Sequence, residues 1–190
     1  STMGRVCFWR YLSLVPVKIR VWPLLRTNYR NWIMGLPRTF IGFSSTDIRE
    51  YRLMLAWKTH EHIDFDFIDC QLQSEIRSED ESYIKSKCRA RINMSGTYIM
   101  LIGADTRSKH KYVRWEAEVA LEKKCRIIGV NLDKSRRLVT ETCPPIIRVV
   151  GAVFVSYSPK IIAYALEHFR MGENGKNYFY PDKIYAQVGL

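Results

Sequence analysis

Residues 111–132 read KYVRWEAEVALEKKCRIIGVNL, a helical pattern that gives way to an apolar strand within a few residues. At about 100° per residue, Val113, Ala117, Ala120 and Leu121 share one face of a helix over Lys111 to Lys124. Arg126 to Leu132 then has the near-continuous apolar character of a strand covered on both sides. One residue of the helix is out of keeping with its face. Glu116 falls inside the apolar arc beside Val113 and Ala120, whereas Glu118 and Glu122 point the opposite way. A carboxylate on a core-facing side is costly unless it is paired or lines a cavity, which makes Glu116 a candidate site residue. The alternative is a boundary residue whose stem packs while its head reaches water.

The same alternation continues in both directions. Upstream, RTFIGFS (38–44) is a short β-rich run ending in Gly and Ser, and DIREYRLMLAWK (47–58) places Ile48, Tyr51 and Leu55 at helical spacing. Asp47 or a neighbouring Ser is suited to cap that helix. DFDFIDC (64–70) reads as a second strand, and the polar QLQSEIRSEDES (71–82) as a long loop. Tyr83 to Met94 forms a basic helix and Tyr98 to Ile102 a fully apolar third strand. Downstream, past Pro144 and Pro145, AVFVSY (152–157) is a fifth strand, and Pro159 to Phe169 a last helix with Pro in its first turn. Strands and helices alternating in this way predict an α/β fold: a five-stranded parallel sheet of flavodoxin-like topology with helices on both faces. Ligands of such sheets bind beyond the carboxyl ends of the strands, in the loops Phe43 to Asp47, Cys70 to Ser82, Gly103 to Lys111 and Asp133 onward.

A chain of 190 residues, 47% hydrophobic and 26% charged, has room for one domain with appendages. The net charge of +11 is unevenly spread, because residues 1–38 hold seven bases and no acid. The remaining twenty-three bases face nineteen acids, so the body is only +4. Three domain segments are therefore expected: a basic extension over 1–37 containing Trp9, Trp22 and Trp32, the domain over 38–170, and a tail over 171–190 packed on it. Arg10, Lys18 and Arg20 interrupt the apolar runs of the extension and Pro16 and Pro23 break its helices, so no transmembrane segment is expected. An arm for anionic membranes or nucleic acid is the competing reading of that segment. The five cysteines are odd in number and lack a CxxC pair, which fits a reducing cytoplasm rather than a disulfide framework. His60 and His62 have no further ligand at metal spacing, and no metal site is expected.

The usual nucleotide motifs are missing. Neither GxGxxG nor GxxxxGK[ST] occurs, the first strand ends GFSS rather than in clustered acids, and no GxSxG surrounds Ser44 or Ser45. What remains is Glu116 as a carboxylate at a loop-bounded cleft, with Phe43, Ser44, Ser45 and Asp47 entering from the first loop. That arrangement suits cleavage of a ribosyl bond to a cationic leaving group such as nicotinamide. Positive charge then develops on the ribose, a carboxylate stabilises it, and the leaving group departs neutral without a metal or an external acid.

Three stretches, RTFIGFSSTDIREYR (38–52), TYIMLIGADT (97–106) and YVRWEAEVALEKKCRIIGV (112–130), in this order and spacing resemble the Toll/interleukin-1 receptor (TIR) domains, and among them the TIR-like ThsB group of bacterial Thoeris anti-phage defence. The resemblance covers about Arg38 to Phe169. It implies a TIR fold with its catalytic Glu on the helix after the third strand, four residues past an aromatic. Glu116 takes the first place and Tyr112 the second, where the family usually has Trp. It also implies that Phe43, Ser44, Ser45 and Asp47 line the substrate pocket and that 71–82 is the loop through which such domains assemble. The implied activity is cleavage of NAD, with NAD as substrate rather than cofactor, to a linear or cyclic ADP-ribose signal sensed by a separate effector protein. Self-association through TIR surfaces is expected, and no specific nucleic acid. The alternative is a non-catalytic TIR scaffold that signals by self-association, with Glu116 structural.

Overall fold

The computed structural model describes residues 38–57, 81–108 and 111–190. Within them, Thr39–Gly42 (β1), Thr97–Ile102 (β2), Arg126–Asn131 (β3) and Val153–Ser156 (β4) are buried along almost their whole length. A strand with no wet side needs apolar residues at every position, which explains the unbroken TYIMLI and RIIGVN runs. The sheet order is β1-β2-β3-β4-β5, all pairs parallel, with β5 formed by Tyr178–Phe179. Helices Ile48–Trp57 (α1), Glu81–Asn93 (α2), Lys111–Glu122 (α3), Pro159–His168 (α4) and Asp182–Gln187 (α5) complete the described elements.

Side chains alternate across the strands and so make two cores. On one face Ile41, Ile99, Leu101, Ile128, Val130 and Val155 pack against Tyr51 and Met54 of α1, Ile161 and Ile162 of α4, and Tyr185 of α5. On the other, Phe40, Tyr98, Met100, Ile127 and Phe154 meet Ile92 of α2, Val113, Ala117, Val119 and Ala120 of α3, and Ile147. Each large apolar side chain so buried stabilises the fold by about 1.5–3 kcal/mol. The chain has the α/β, five-stranded parallel, flavodoxin-like architecture expected of a TIR fold.

The strands are counted differently from the sequence reading. DFDFIDC lies outside the described residues, as do the extension over 1–37 and residues 71–80 of the long loop. AVFVSY supplies β4, and the fifth strand of the described sheet comes from the segment read as a tail. There Tyr178 pairs with Val153 and Phe179 with Phe154. A strand of two residues, Tyr178 and Phe179, is too short for hydrophobic periodicity to reveal it.

The 171–190 segment is tied to the body at several points. The Gly151 amide donates to the Lys176 carbonyl at 2.9 Å and the Tyr178 amide to Ala152 at 2.8 Å. The buried Tyr185 hydroxyl accepts from the Ser156 amide at 3.2 Å. Arg136, in the loop after β3, pairs with Asp182 at 2.8 Å and lies over the Tyr185 ring at 4.2 Å.

Helix α3 ends in a sharp reversal. Lys124 takes φ +60°, and the Cys125 amide reaches back to the Ala120 carbonyl at 2.9 Å. That closure satisfies an orphan carbonyl and turns the chain straight into β3.

Candidate active site

Glu116 lies deeper in its helix face than the sequence arc suggested. Val119 is also buried, at 2% exposure, so the covered arc runs from Val119 through Glu116 to Val113, Ala120 and Ala117. The carboxylate is therefore central on the face rather than at its edge, which goes against the boundary reading. Glu118 and Glu122 are exposed and pair with Arg114 at 3.0 Å and Arg89 at 3.1 Å.

The Glu116 carboxyl points at the end of β1. Its Oε2 is 2.9 Å from where a β-carbon on Gly42 would sit, and the Tyr98 hydroxyl and Cζ crowd the same point, Cζ at 2.8 Å. Glycine is the residue whose bare Cα admits both groups. The residue as a whole keeps some exposed surface, but its carboxyl is the enclosed end. Burial pushes the Glu116 carboxyl up to about 8. Cys88 of α2 is a neighbour: burial, with the Glu116 charge next in size, pushes its thiol up to about 11. At neutral pH the site therefore holds a protonated carboxyl beside a protonated thiol.

The loops after β1 and β2 are joined by hydroxyls and carboxylates. The Thr106 hydroxyl accepts from the Gly103 amide at 2.8 Å and donates to Asp47 Oδ2 at 3.3 Å. The Asp47 carboxylate lies against Gly103, with Oδ2 2.7 Å from the place of a β-carbon there. Thr46 donates to Asp105 Oδ1 at 2.9 Å and Oδ2 at 3.0 Å, so Ser44, 2.9 Å from the Thr46 hydroxyl, must be the donor in that pair. Asp47 thus faces the β2 loop, which accounts for its burial at the start of a helix.

The candidate residues from the sequence do not all converge. Phe43 stacks on Tyr51, ring centroids 4.3 Å apart, and packs with the core that includes α1 and α4, on the sheet face opposite Glu116. Ser44 is buried and Ser45 exposed. Tyr112 stands exposed on the first turn of α3, about one helical turn before Glu116. Gly42, Tyr98, Cys88 and Thr106 escaped the sequence reading. The Gly closing the first strand and the lone phenol in TYIMLI were the available signals.

A cavity of about 400 Å³ opens between the loops after β2 and β3, lined by Ala104, Arg107, Ser108, Glu141 and Pro145. It carries one charge of each sign, and hydrogen bonds from its own backbone and Thr140, aided by Arg107 and Arg148, hold the exposed Glu141 carboxyl below its ordinary range. Among the described residues no group of three or more His, Cys, Asp or Glu could hold a metal ion. Nor is any described helix long and apolar enough to cross a membrane.

A carboxyl enclosed at the carboxyl end of β1, with a phenol beside it and two loops pinned above the sheet, is suited to meeting a developing positive charge. In comparison with known families, residues 40–137 match the model described as "Thoeris protein ThsB, TIR-like domain". No curated protein matches the chain.

Proposed function

This chain belongs to the TIR-like domain family of the Thoeris protein ThsB, a TIR-type defence signalling protein, and from that premise we propose that it cleaves the nicotinamide-ribosyl bond of NAD. The observation that carries the proposal is the Glu116 carboxyl, central on the covered face of α3 with Oε2 against Gly42. NAD enters from the loop side, the bond between ribose and nicotinamide breaks with both electrons leaving on the ring nitrogen, and the ribosyl cation forms beside Glu116. Water or a nucleophile of the same nucleotide then captures it, giving linear or cyclic ADP-ribose. At pH 7 roughly one in ten of these carboxyls is ionised, given a pKa of about 8. The cationic nicotinamide ring favours the ionised form, so substrate binding helps to release the proton that blocks the site.

Ser44, Ser45, Asp47 and Tyr112 are the residues through which the loop side would contact the nucleotide, and self-association and an effector that senses the product complete the signalling role. The protonated carboxyl at neutral pH favours a second reading, a scaffold that assembles without turnover. Nicotinamide release from NAD by the purified chain at high concentration, with Glu116→Gln alongside and mass spectrometry of the nucleotide, tests the two. Release that disappears in the variant supports the glycosidase. Equal release from both, or none from either with self-association intact, overturns it in favour of the scaffold.

A further inference from the structure

We propose that the cavity between the loops after β2 and β3 binds the ADP part of a dinucleotide, with Arg107 taking the diphosphate and Glu141 the ribose hydroxyls. The choice of nucleotide rests on the NAD reaction proposed above, whereas the site is argued from its own geometry. At about 400 Å³ the cavity is larger than one phosphate group needs and falls within the range of small-molecule sites, about 300–1,000 Å³. It also lies where parallel sheets hold their ligands, beyond the carboxyl ends of the strands, here β2 and β3.

The charges around the cavity suit a ligand with an anionic end and a hydroxyl-bearing end. The Thr140 carbonyl draws in two guanidinium groups, Arg107 through Nη1 at 3.5 Å and Arg148 through Nη2 at 2.8 Å. Arg148 is committed further, because its Nε and Nη2 both donate to the Cys143 carbonyl, at 3.1 and 2.8 Å. Among the described residues Arg107 makes only its one long bond, so nearly all of its five donors remain for a ligand. A guanidinium in that condition grips phosphate oxygens in pairs. Glu141 is ionised at neutral pH, because hydrogen bonds from its own backbone and Thr140 hold its carboxyl below the ordinary range. A carboxylate accepts and does not donate, so it repels phosphate and takes hydroxyl groups. Thr140 occupies one site on Oε1, at 3.1 Å, out of about four lone-pair sites on the two oxygens. The Ser108 hydroxyl donates to the Asp105 carbonyl at 2.9 Å and keeps its lone pairs for a ligand donor, while Ala104 and Pro145 give the cavity apolar wall. A diphosphate beside a vicinal diol is the chemistry of a ribose nucleotide, and ADP is the part that NAD and ADP-ribose share.

The experiment is calorimetric titration of the full chain with ADP, inorganic pyrophosphate and adenosine, repeated on Arg107→Gln and Glu141→Gln. Both side chains are exposed, so both variants are expected to fold, and an unchanged melting temperature checks it. The native chain is expected to bind ADP more tightly than pyrophosphate, and adenosine weakly. Arg107→Gln is expected to weaken ADP about tenfold or more, the loss of hydrogen bonds from a charged donor. Glu141→Gln is expected to act in opposite senses on the two ends of the ligand. Pyrophosphate gains because a repelling charge is gone, and the preference for ADP over pyrophosphate narrows because the acceptor for the ribose is weakened. Absence of ADP binding, or ADP binding unchanged in Arg107→Gln, overturns the proposal. Pyrophosphate bound as tightly as ADP by the native chain also overturns it, since the cavity would then recognise phosphate alone. ADP binding is read without turnover. A chain that binds ADP through Arg107 but releases no nicotinamide keeps the site and loses the glycosidase reading. A chain that releases nicotinamide while Arg107→Gln binds ADP unchanged does the reverse.

Discussion

Replacing Glu116 by Gln is expected to stabilise the protein, and by an amount that grows with pH. The unfolded chain releases the Glu116 proton near its ordinary value of 4.5, whereas the folded chain holds it until about pH 8. Between those values the native state binds a proton that the unfolded state has lost, so this residue lowers stability by about 1.4 kcal/mol for each pH unit. Below pH 4.5 both states carry the neutral acid and the residue contributes no pH dependence. Gln imitates the neutral acid at every pH and escapes the loss. Integrated to pH 8, the full difference is about 5 kcal/mol. Partial solvent access through the remaining exposed surface reduces this, and about 2–4 kcal/mol is the expected advantage of the variant at pH 8 over its advantage at pH 4.5. For a domain of this size that is a rise in melting temperature of about 5–15 °C. Thermal or urea unfolding of both proteins at pH 5 and pH 8 measures it. Any cost of the new amide is common to both pH values, so only the pH-dependent part carries the information. A difference between the proteins that is the same at the two pH values, or one that favours Glu at pH 8, would refute the burial of this carboxyl.

Gly103→Ala puts a β-carbon into the Asp47 carboxylate, with Oδ2 at 2.7 Å, and is expected to cost about 1–3 kcal/mol in urea unfolding as the loop after β1 is forced away. An unchanged midpoint would mean that Asp47 is not held there. Lys124→Gly relieves the positive φ at the end of α3 and is expected to raise stability by about 1 kcal/mol, read as a higher melting temperature.

Much of this was legible because the sheet has no wet side. The two long inner strands, TYIMLI and RIIGVN, are runs that only double burial explains, and the periodicity of α3 by itself sets Glu116 apart. The depth of the carboxyl was harder to read. Val119 had to be assigned to the covered face, and a 100° step leaves the edges of an arc soft when α2 and β1 both press on the helix. Phe43 has a packing role that local pattern did not reveal. Residues 41 and 43 point the same way from the strand, so an aromatic next in line after β1 continues the core on the α1 side and stacks on Tyr51. The pairing of Asp47 with Thr106, 59 positions apart, has no local signal at all. Tyr178 and Phe179 were hidden because a strand of two residues is defined by its neighbour rather than by its own pattern.

The contribution of the C-terminal segment to the sheet bears on how the protein can be divided. Residues 40–137 carry the family signature, yet a piece trimmed to them ends before β4 and β5. The partners of Ile128, Gly129, Val130 and Asn131 would be gone, leaving the row of amides and carbonyls along β3 bare beside two stripped apolar layers. Such an edge invites pairing with any other extended chain. The smallest usable unit is therefore set by the C-terminal segment that closes the sheet and its core, through Tyr185 to Val188, and not by the last residue that carries the signature.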